Sequence, residues 1–145
     1  MEQNSPNLTE RSVVLFVDDD PNILEGLRDT CRREPYDVLT ATSAVIALDY
    51  LAKERVDVII SDECMPRVSG SELLSRVRRE YPGVCRIMLT GEASLDASVR
   101  AINEGHLYRF LSKPLKPEEL TRVIRDALRM KSISDQRARR QAAAH

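Results

Sequence analysis

Four short stretches carry residue types suited to phosphoryl and metal chemistry: Asp18-Asp19-Asp20, Asp62, Thr90-Gly91 and Lys113-Pro114. If the fold gathers them, the carboxylates repel and raise one another's pKa. A hard divalent cation is the usual compensation, held by carboxylates, a carbonyl and waters in an octahedral shell. Mg²⁺ is the expected ion. A hydroxyl, a backbone N–H, an ammonium and a metal converging on one carboxylate form the set that stabilises the equatorial oxygens of a phosphoryl group, with that carboxylate as nucleophile. Taken singly, each stretch has a plainer reading. Asp18 to Asp20 can form a turn and helix cap, Asp62 a loop carboxylate, and Lys113 a structural ion pair.

The elements that must position these groups are legible as alternation. Five apolar runs, Val13–Val17, Tyr36–Thr40, Val56–Ile60, Val84–Leu89 and Leu107–Leu111, are interleaved with five helical patterns. That alternation signals a parallel sheet, and near-continuous apolarity suits strands covered on both faces. The run over 36–40 is the most polar and fits best at an edge. Asp20-Pro21 reads as an N-cap followed by proline at the first helical position, opening a helix over about 21–34 with Ile23, Leu24, Leu27 and Cys31 on one stripe. Comparable stripes run through Ala44, Ala47, Leu48 and Leu51, and through Leu73, Leu74 and Val77, the last stopped by Pro82-Gly83. Ser94 can cap a helix over 94–104 that ends at Gly105, and Pro117-Glu118-Glu119 opens a fifth helix with acids in its positive first turn. The expected architecture is a doubly wound α/β sandwich of five (βα) units in three layers, with its ligand edge at the carboxyl ends of the strands. Every stretch named above follows or ends such a strand.

Composition narrows the function classes. The chain has 145 residues, 42% apolar and 31% charged, which suits one globular domain with short tails. With 22 Lys and Arg against 23 Asp and Glu, it has no excess charge for nucleic acid. The longest apolar runs are far short of the about 20 residues of a membrane span, and the first dozen residues lack the apolar core of a secretory signal. A cytoplasmic location is expected. The three cysteines, Cys31, Cys64 and Cys85, are unpaired by spacing and read as reduced, buried thiols. Residues 131–145 carry Lys131, Arg137, Arg139 and Arg140 against Asp135, a basic extension whose apolar spacing fades after Ile133 and cannot sustain a strong coiled coil.

In order, VVLFVDDDPNIL, VDVIISDECMPRVSG, IMLTGEA and RFLSKPL span about four-fifths of the chain, and with them the sequence resembles a two-component response regulator receiver domain. The resemblance implies a flavodoxin-like parallel sheet of order 2-1-3-4-5. It implies a domain over 12–130, flanked by a loosely ordered tail over 1–11 and a helical extension or linker over 131–145. Asp62 is the implied acceptor of a phosphoryl group from a sensor histidine kinase or phosphotransfer protein. Mg²⁺ is implied on Asp19, Asp62 and the Cys64 backbone carbonyl, with Asp18 acting through water. Thr90, the Gly91 N–H and Lys113 are the implied contacts of the phosphoryl oxygens, and the Lys113-Pro114 bond is commonly cis in the family. Cys64 and Glu92 fall at positions that vary and tune loss of the phosphoryl group.

The implied output is a shift of the face formed by helix 94–104, strand 107–111 and helix 117–130. Thr90 turns inward, and the aromatic behind it, here Phe110 where tyrosine is frequent, changes packing. The chain is then a signalling switch with only self-catalysed phosphoryl transfer, standing alone or as the amino-terminal piece of a longer regulator. Its implied partners are a kinase, an output domain or partner protein, and a second copy in a homodimer. The stretch AINEGHLYRFLSKPL resembles receivers of HD-GYP or sigma-54 activator regulators, although the tryptophan often found after Lys-Pro is Leu115. Two competing readings remain at this stage. One is a receiver-like binding module that works without phosphorylation. The other is a haloacid-dehalogenase-type phosphatase with Asp18 as nucleophile. The latter needs a late acidic metal pair, whereas the acids that follow the lysine are Glu118, Glu119 and Asp126 on the expected helix and Asp135 in the basic extension.

Overall fold

The computed structural model describes residues 11–91 and 107–144. Its strands are β1 (Ser12–Val17), β2 (Tyr36–Ala41), β3 (Val58–Asp62), β4 (Cys85–Thr90) and β5 (Arg109–Ser112). Its helices are α1 (Pro21–Thr30), α2 (Ala44–Lys53), α3 (Gly70–Glu80) and α4 (Pro117–Ala144). All strand pairs are parallel, and the sheet order is β2-β1-β3-β4-β5, as expected. The polar run over 36–40 does lie at an edge. The expected helix over 94–104, its Ser94 cap, Gly105 and most of the amino-terminal tail lie outside the described residues, as does Glu92.

Alternation along the strands builds two cores. Val14, Phe16, Val58, Ile60, Ile87 and Leu89 face α1 and α4, where Leu24, Leu120, Val123 and Ile124 close the layer. Leu15, Val17, Ile59 and Met88 face α2 and α3, meeting Ala47, Leu51, Leu73, Leu74 and Val77. Covering both faces requires the near-continuous apolarity seen in the sequence.

Three expectations are corrected. The first helix ends at Thr30 rather than 34, with Cys31 as its C-cap bonded to Leu27 O. The chain then turns through residues 31–33, since Glu34 precedes Pro35 and a residue before proline avoids helical backbone. Strand β3 is shifted two residues toward Asp62, because the Asp57 side chain turns onto the Val13 N–H (2.8 Å) and Arg55 (3.2 Å). Of the three thiols only Cys31 is buried. Cys64 is exposed, lying past the end of β3 in the loop that leads to α3.

α4 is a single helix of 28 residues, so the basic extension continues the last element of the body without a break. Lys131 marks where they meet. Its Nζ lies beside the Pro82-Gly83 turn and pairs with Asp135 at 2.9 Å. No helix among the described residues is long and apolar enough to cross a membrane.

Candidate functional site

Register brings the chemistry together. Val17 pairs with Ser61, Asp62 with Leu89 and Thr90 with Ser112, so the residues at or just past these pairs form one row at the carboxyl edge. That row is Asp18, Asp62, Thr90 and Lys113. Asp18 (3% exposed) and Asp62 (6%) are buried, whereas Asp19 is exposed. Asp20 leaves the row. Its side chain accepts the Asn22 N–H at 2.9 Å and caps α1, as the sequence predicts.

The carboxylates of Asp18, Asp19 and Asp62 each present an oxygen within 4.8 Å of the others. Lys113 Nζ donates to Asp62 Oδ1 at 2.8 Å and stands 3.5 Å from Asp18 Oδ2. Asp18 Oδ1 accepts the Asp20 N–H at 2.9 Å, but its buried Oδ2 accepts no hydrogen bond among the described residues. A buried anionic oxygen costs free energy when unsatisfied. Burial is the main cause that pushes the Asp18 pKa up. The Asp20 N–H opposes it, Asp62 adds to it, Lys113 opposes it and Asp19 adds to it. Burial would lower the Lys113 ammonium, yet the hydrogen bond and charge of Asp62, then Asp18, leave it raised. Three hard oxygen donors around an under-neutralised, buried oxygen fit Mg²⁺.

The loop after Asp62 is fastened in a way the sequence reading missed. The Glu63 carboxylate accepts the Ser71 N–H at 2.7 Å and the Ser71 hydroxyl at 2.8 Å. Ser69 caps α3, and Glu72 reaches back to the Ser69 N–H in a capping box. Ser69-x-x-Glu72 is visible in the sequence, but the Glu63–Ser71 pair crosses a loop and carries no periodic signal. Gly70 is fixed by space, for an added Cβ would stand 2.2 Å from Asp62 O. Arg67 adopts φ 71°, a left-handed conformation unusual for a side-chain-bearing residue.

Thr90 is buried (1% exposed), and its hydroxyl donates to Gly91 O at 3.2 Å. Gly91 is exposed, with open space where a Cβ would go. Phe110 is half-buried in the core beneath α2 and α3. In the β4–β5 register it lies opposite Met88, two residues before Ser112, and therefore on the same sheet face as Thr90. The Lys113-Pro114 bond is cis. Cys64 thus lies next to the acidic row, with its side chain outside.

A sequence model of the response regulator receiver domain family matches residues 14–125. The transcriptional regulatory protein GlrR of Escherichia coli is 37% identical over 115 residues, 79% of this chain and 26% of the relative. The response regulator protein PilR of Pseudomonas aeruginosa is 32% identical over 122 residues, 84% of this chain and 27% of the relative. The chain therefore spans about a quarter of the length of these curated relatives. Among solved structures, the signal receiver domain of an HD domain-containing protein from Pseudomonas fluorescens superposes with a TM-score of 0.80 at 39% identity, over 85% of this chain and 98% of that one. A CheY-like receiver from Methanospirillum hungatei gives 0.80 at 31% identity, over 86% and 99%. With its parallel sheet, its acidic row and a lysine on Asp62, the chain belongs to the response regulator receiver domain family.

Proposed function

We propose that this chain is a phosphorylation-activated switch in which Asp62 takes a phosphoryl group from the histidine of a sensor kinase or phosphotransfer protein. The observation that carries this reading is the 2.8 Å contact of Lys113 with Asp62 inside a row of two further aspartates. A carboxylate oxygen of Asp62 forms the new P–O bond as the P–N bond to the donor imidazole breaks, and the imidazole leaves with the electron pair. Asp19, Asp62 and the Cys64 carbonyl would hold Mg²⁺, with Asp18 assisting through water, and the ion would supply neutralising charge for the phosphoryl oxygens. Lys113 shifts its ammonium from the free carboxylate toward the transferred group. The Thr90 hydroxyl and the Gly91 N–H donate to its remaining oxygens.

The signal leaves through packing. The added group brings about −1.5 to −2 charge and three acceptors beside Thr90. As the Thr90 hydroxyl turns to them, Phe110 on the same face refills the space it leaves. The surface of β5 and α4 then offers partners a different shape. Phosphorylation biases that surface only by stabilising one arrangement over the other. The body of the switch spans 12–130 and the segment 131–145 extends it. Its partners are an output domain or partner protein, with homodimerisation as one route, and it acts in the cytoplasm without turnover of a separate substrate.

Intact-protein mass after incubation with Mg²⁺ and a small acyl phosphate tests the reading. A gain of one phosphoryl group in wild type, absent in Asp62→Asn and lost on prior chelation, is expected. Labelling retained in Asp62→Asn overturns the acceptor assignment. A folded wild type that gains nothing from the small donor or from a histidine kinase favours the phosphorylation-independent module.

A further inference from the structure

Two acids are adjacent at the end of β3, and only one of them joins the acidic row. Asp62 faces Lys113 and the other aspartates, whereas Glu63 is directed at the start of α3. There its Oε1 accepts both the Ser71 N–H (2.7 Å) and the Ser71 hydroxyl (2.8 Å), with Oε2 also 2.8 Å from that hydroxyl. Its backbone is held as firmly. The Glu63 N–H donates to Leu89 O at 3.1 Å, and the Glu63 carbonyl accepts the Gly70 N–H at 3.0 Å.

Glu63 is therefore tied to the neighbouring strand on one side and to the first turn of the next helix on the other. The loop it closes begins with Cys64. Helix N-termini favour a carboxylate through their unpaired N–H groups and dipole, so the Glu63 charge is better placed there than beside three aspartates. Diverting it also spares the row a fourth negative charge. Arg67, in the same loop, adopts a left-handed backbone, a conformation that persists when its surroundings over-determine it.

We infer that Glu63 is a positioning residue for the metal site: through Ser71 it fixes the turn that carries the Cys64 carbonyl beside Asp62. This rests on the reading that Mg²⁺ binds the acidic row. Residues that orient ligands without touching the ion typically change metal affinity by about 10–100-fold when removed. The ammonium of Lys113 and the aspartates themselves are unchanged by the loss of Glu63, so its effect falls on how tightly the ion is held, with little effect once the site is saturated.

The experiment is calorimetric titration of the phosphate-free protein with Mg²⁺ for wild type, Glu63→Ala, Glu63→Gln and Ser71→Ala. It is paired with initial rates of labelling by a small acyl phosphate across Mg²⁺ concentrations. Glu63→Ala is expected to weaken Mg²⁺ binding roughly tenfold while its labelling rate at saturating Mg²⁺ stays near wild type. Glu63→Gln, whose amide oxygen still accepts from Ser71, is expected to bind as wild type. Ser71→Ala, which keeps the N–H and loses the hydroxyl, is expected to fall between. A folded Glu63→Ala with wild-type Mg²⁺ affinity overturns the inference. If Glu63→Ala does not fold, wild-type affinity in Ser71→Ala overturns it instead. Absence of Mg²⁺ binding in wild type is a separate result, and it removes the metal-site reading together with the inference.

Discussion

Lys113 donates to Asp62 at 2.8 Å while standing 3.5 Å from Asp18, so one ammonium is shared by carboxylates from the ends of two neighbouring strands. Removing it leaves both acids without their cation. Lys113→Ala is expected to lower the metal-free stability by about 1–2 kcal/mol, below the 3–5 of a fully buried pair, because 33% of the lysine side chain is exposed and screened. The Lys113 pKa is raised in the folded chain, so its contribution is complete below the ordinary value of 10.5 and disappears as pH rises through the folded value. Urea unfolding of both proteins from pH 7 to 11 checks the size and the window. Equal stabilities at pH 7 would contradict the sharing.

The Asp18 pKa shifts the same way, but there it is the charged form that folding disfavours. Its carboxyl pKa is raised in the folded state, so the folded chain holds that proton more tightly and loses the advantage as pH rises above 3.8 through the folded value. Asp18→Asn retains an oxygen for the Asp20 N–H and removes the buried charge. Without metal it is expected to be about 1 kcal/mol more stable than wild type at pH 7, with the gap closing toward pH 3.8. Added Mg²⁺ should reverse the ranking, since only wild type gains the full linkage stabilisation. Melting of both proteins with and without Mg²⁺ is the measurement.

Gly70 is where α3 presses against the end of β3. Gly70→Ala must move the helix away from the Asp62 carbonyl, 2.2 Å from the new Cβ. A loss of roughly 1–3 kcal/mol is expected, with slower acyl-phosphate labelling, because the displaced backbone is that of the acceptor. Denaturant midpoints and labelling rates together distinguish this from simple destabilisation.

Arg67 sits at φ 71°. Arg67→Gly relieves about 1–2 kcal/mol of left-handed strain and loses about 0.4–1 kcal/mol through the more flexible unfolded chain. A net gain of about 0.8 kcal/mol is expected, seen as a higher urea midpoint. Arg67→Val should move it the other way.

Phe110 shares the face of Thr90 and is only half-buried. Phe110→Ala is expected to cost about 1–2 kcal/mol, less than a fully buried phenylalanine, and to be labelled at the wild-type rate. Amide exchange across β5 and α4 should no longer respond to phosphorylation. A wild-type response would remove Phe110 from the relay.

Most of this frame was legible because few residues did double duty. The strand alternation, the Asp20-Pro21 start and the edge position of Tyr36-Asp37-Val38 followed from burial and backbone preference alone. The misread elements are those where a side chain does something other than its pattern suggests. Asp57 interrupts an apolar run because it is satisfied by a backbone N–H on β1, a pairing 44 residues distant. Residues 31–34 continue a helical stripe that Pro35 forbids. The acidic row was readable from strand-end residues, since parallel strands put them at one edge. Glu63 was not, because nothing in an Asp-Glu pair says that the two carboxylates part company.

The unbroken α4 gives the molecule a mechanical property. Its first half is seated on the sheet by Leu120, Val123, Ile124 and Ala127, and Lys131 rests at the Pro82-Gly83 turn. Beyond that fulcrum the helix runs to Ala144, roughly 20 Å at 1.5 Å per residue. A tilt of about 10° at that fulcrum would sweep its far end through about 3.5 Å. A small change in packing beneath α4 thus becomes a displacement as wide as an atom, carried by a lever that is part of the same helix.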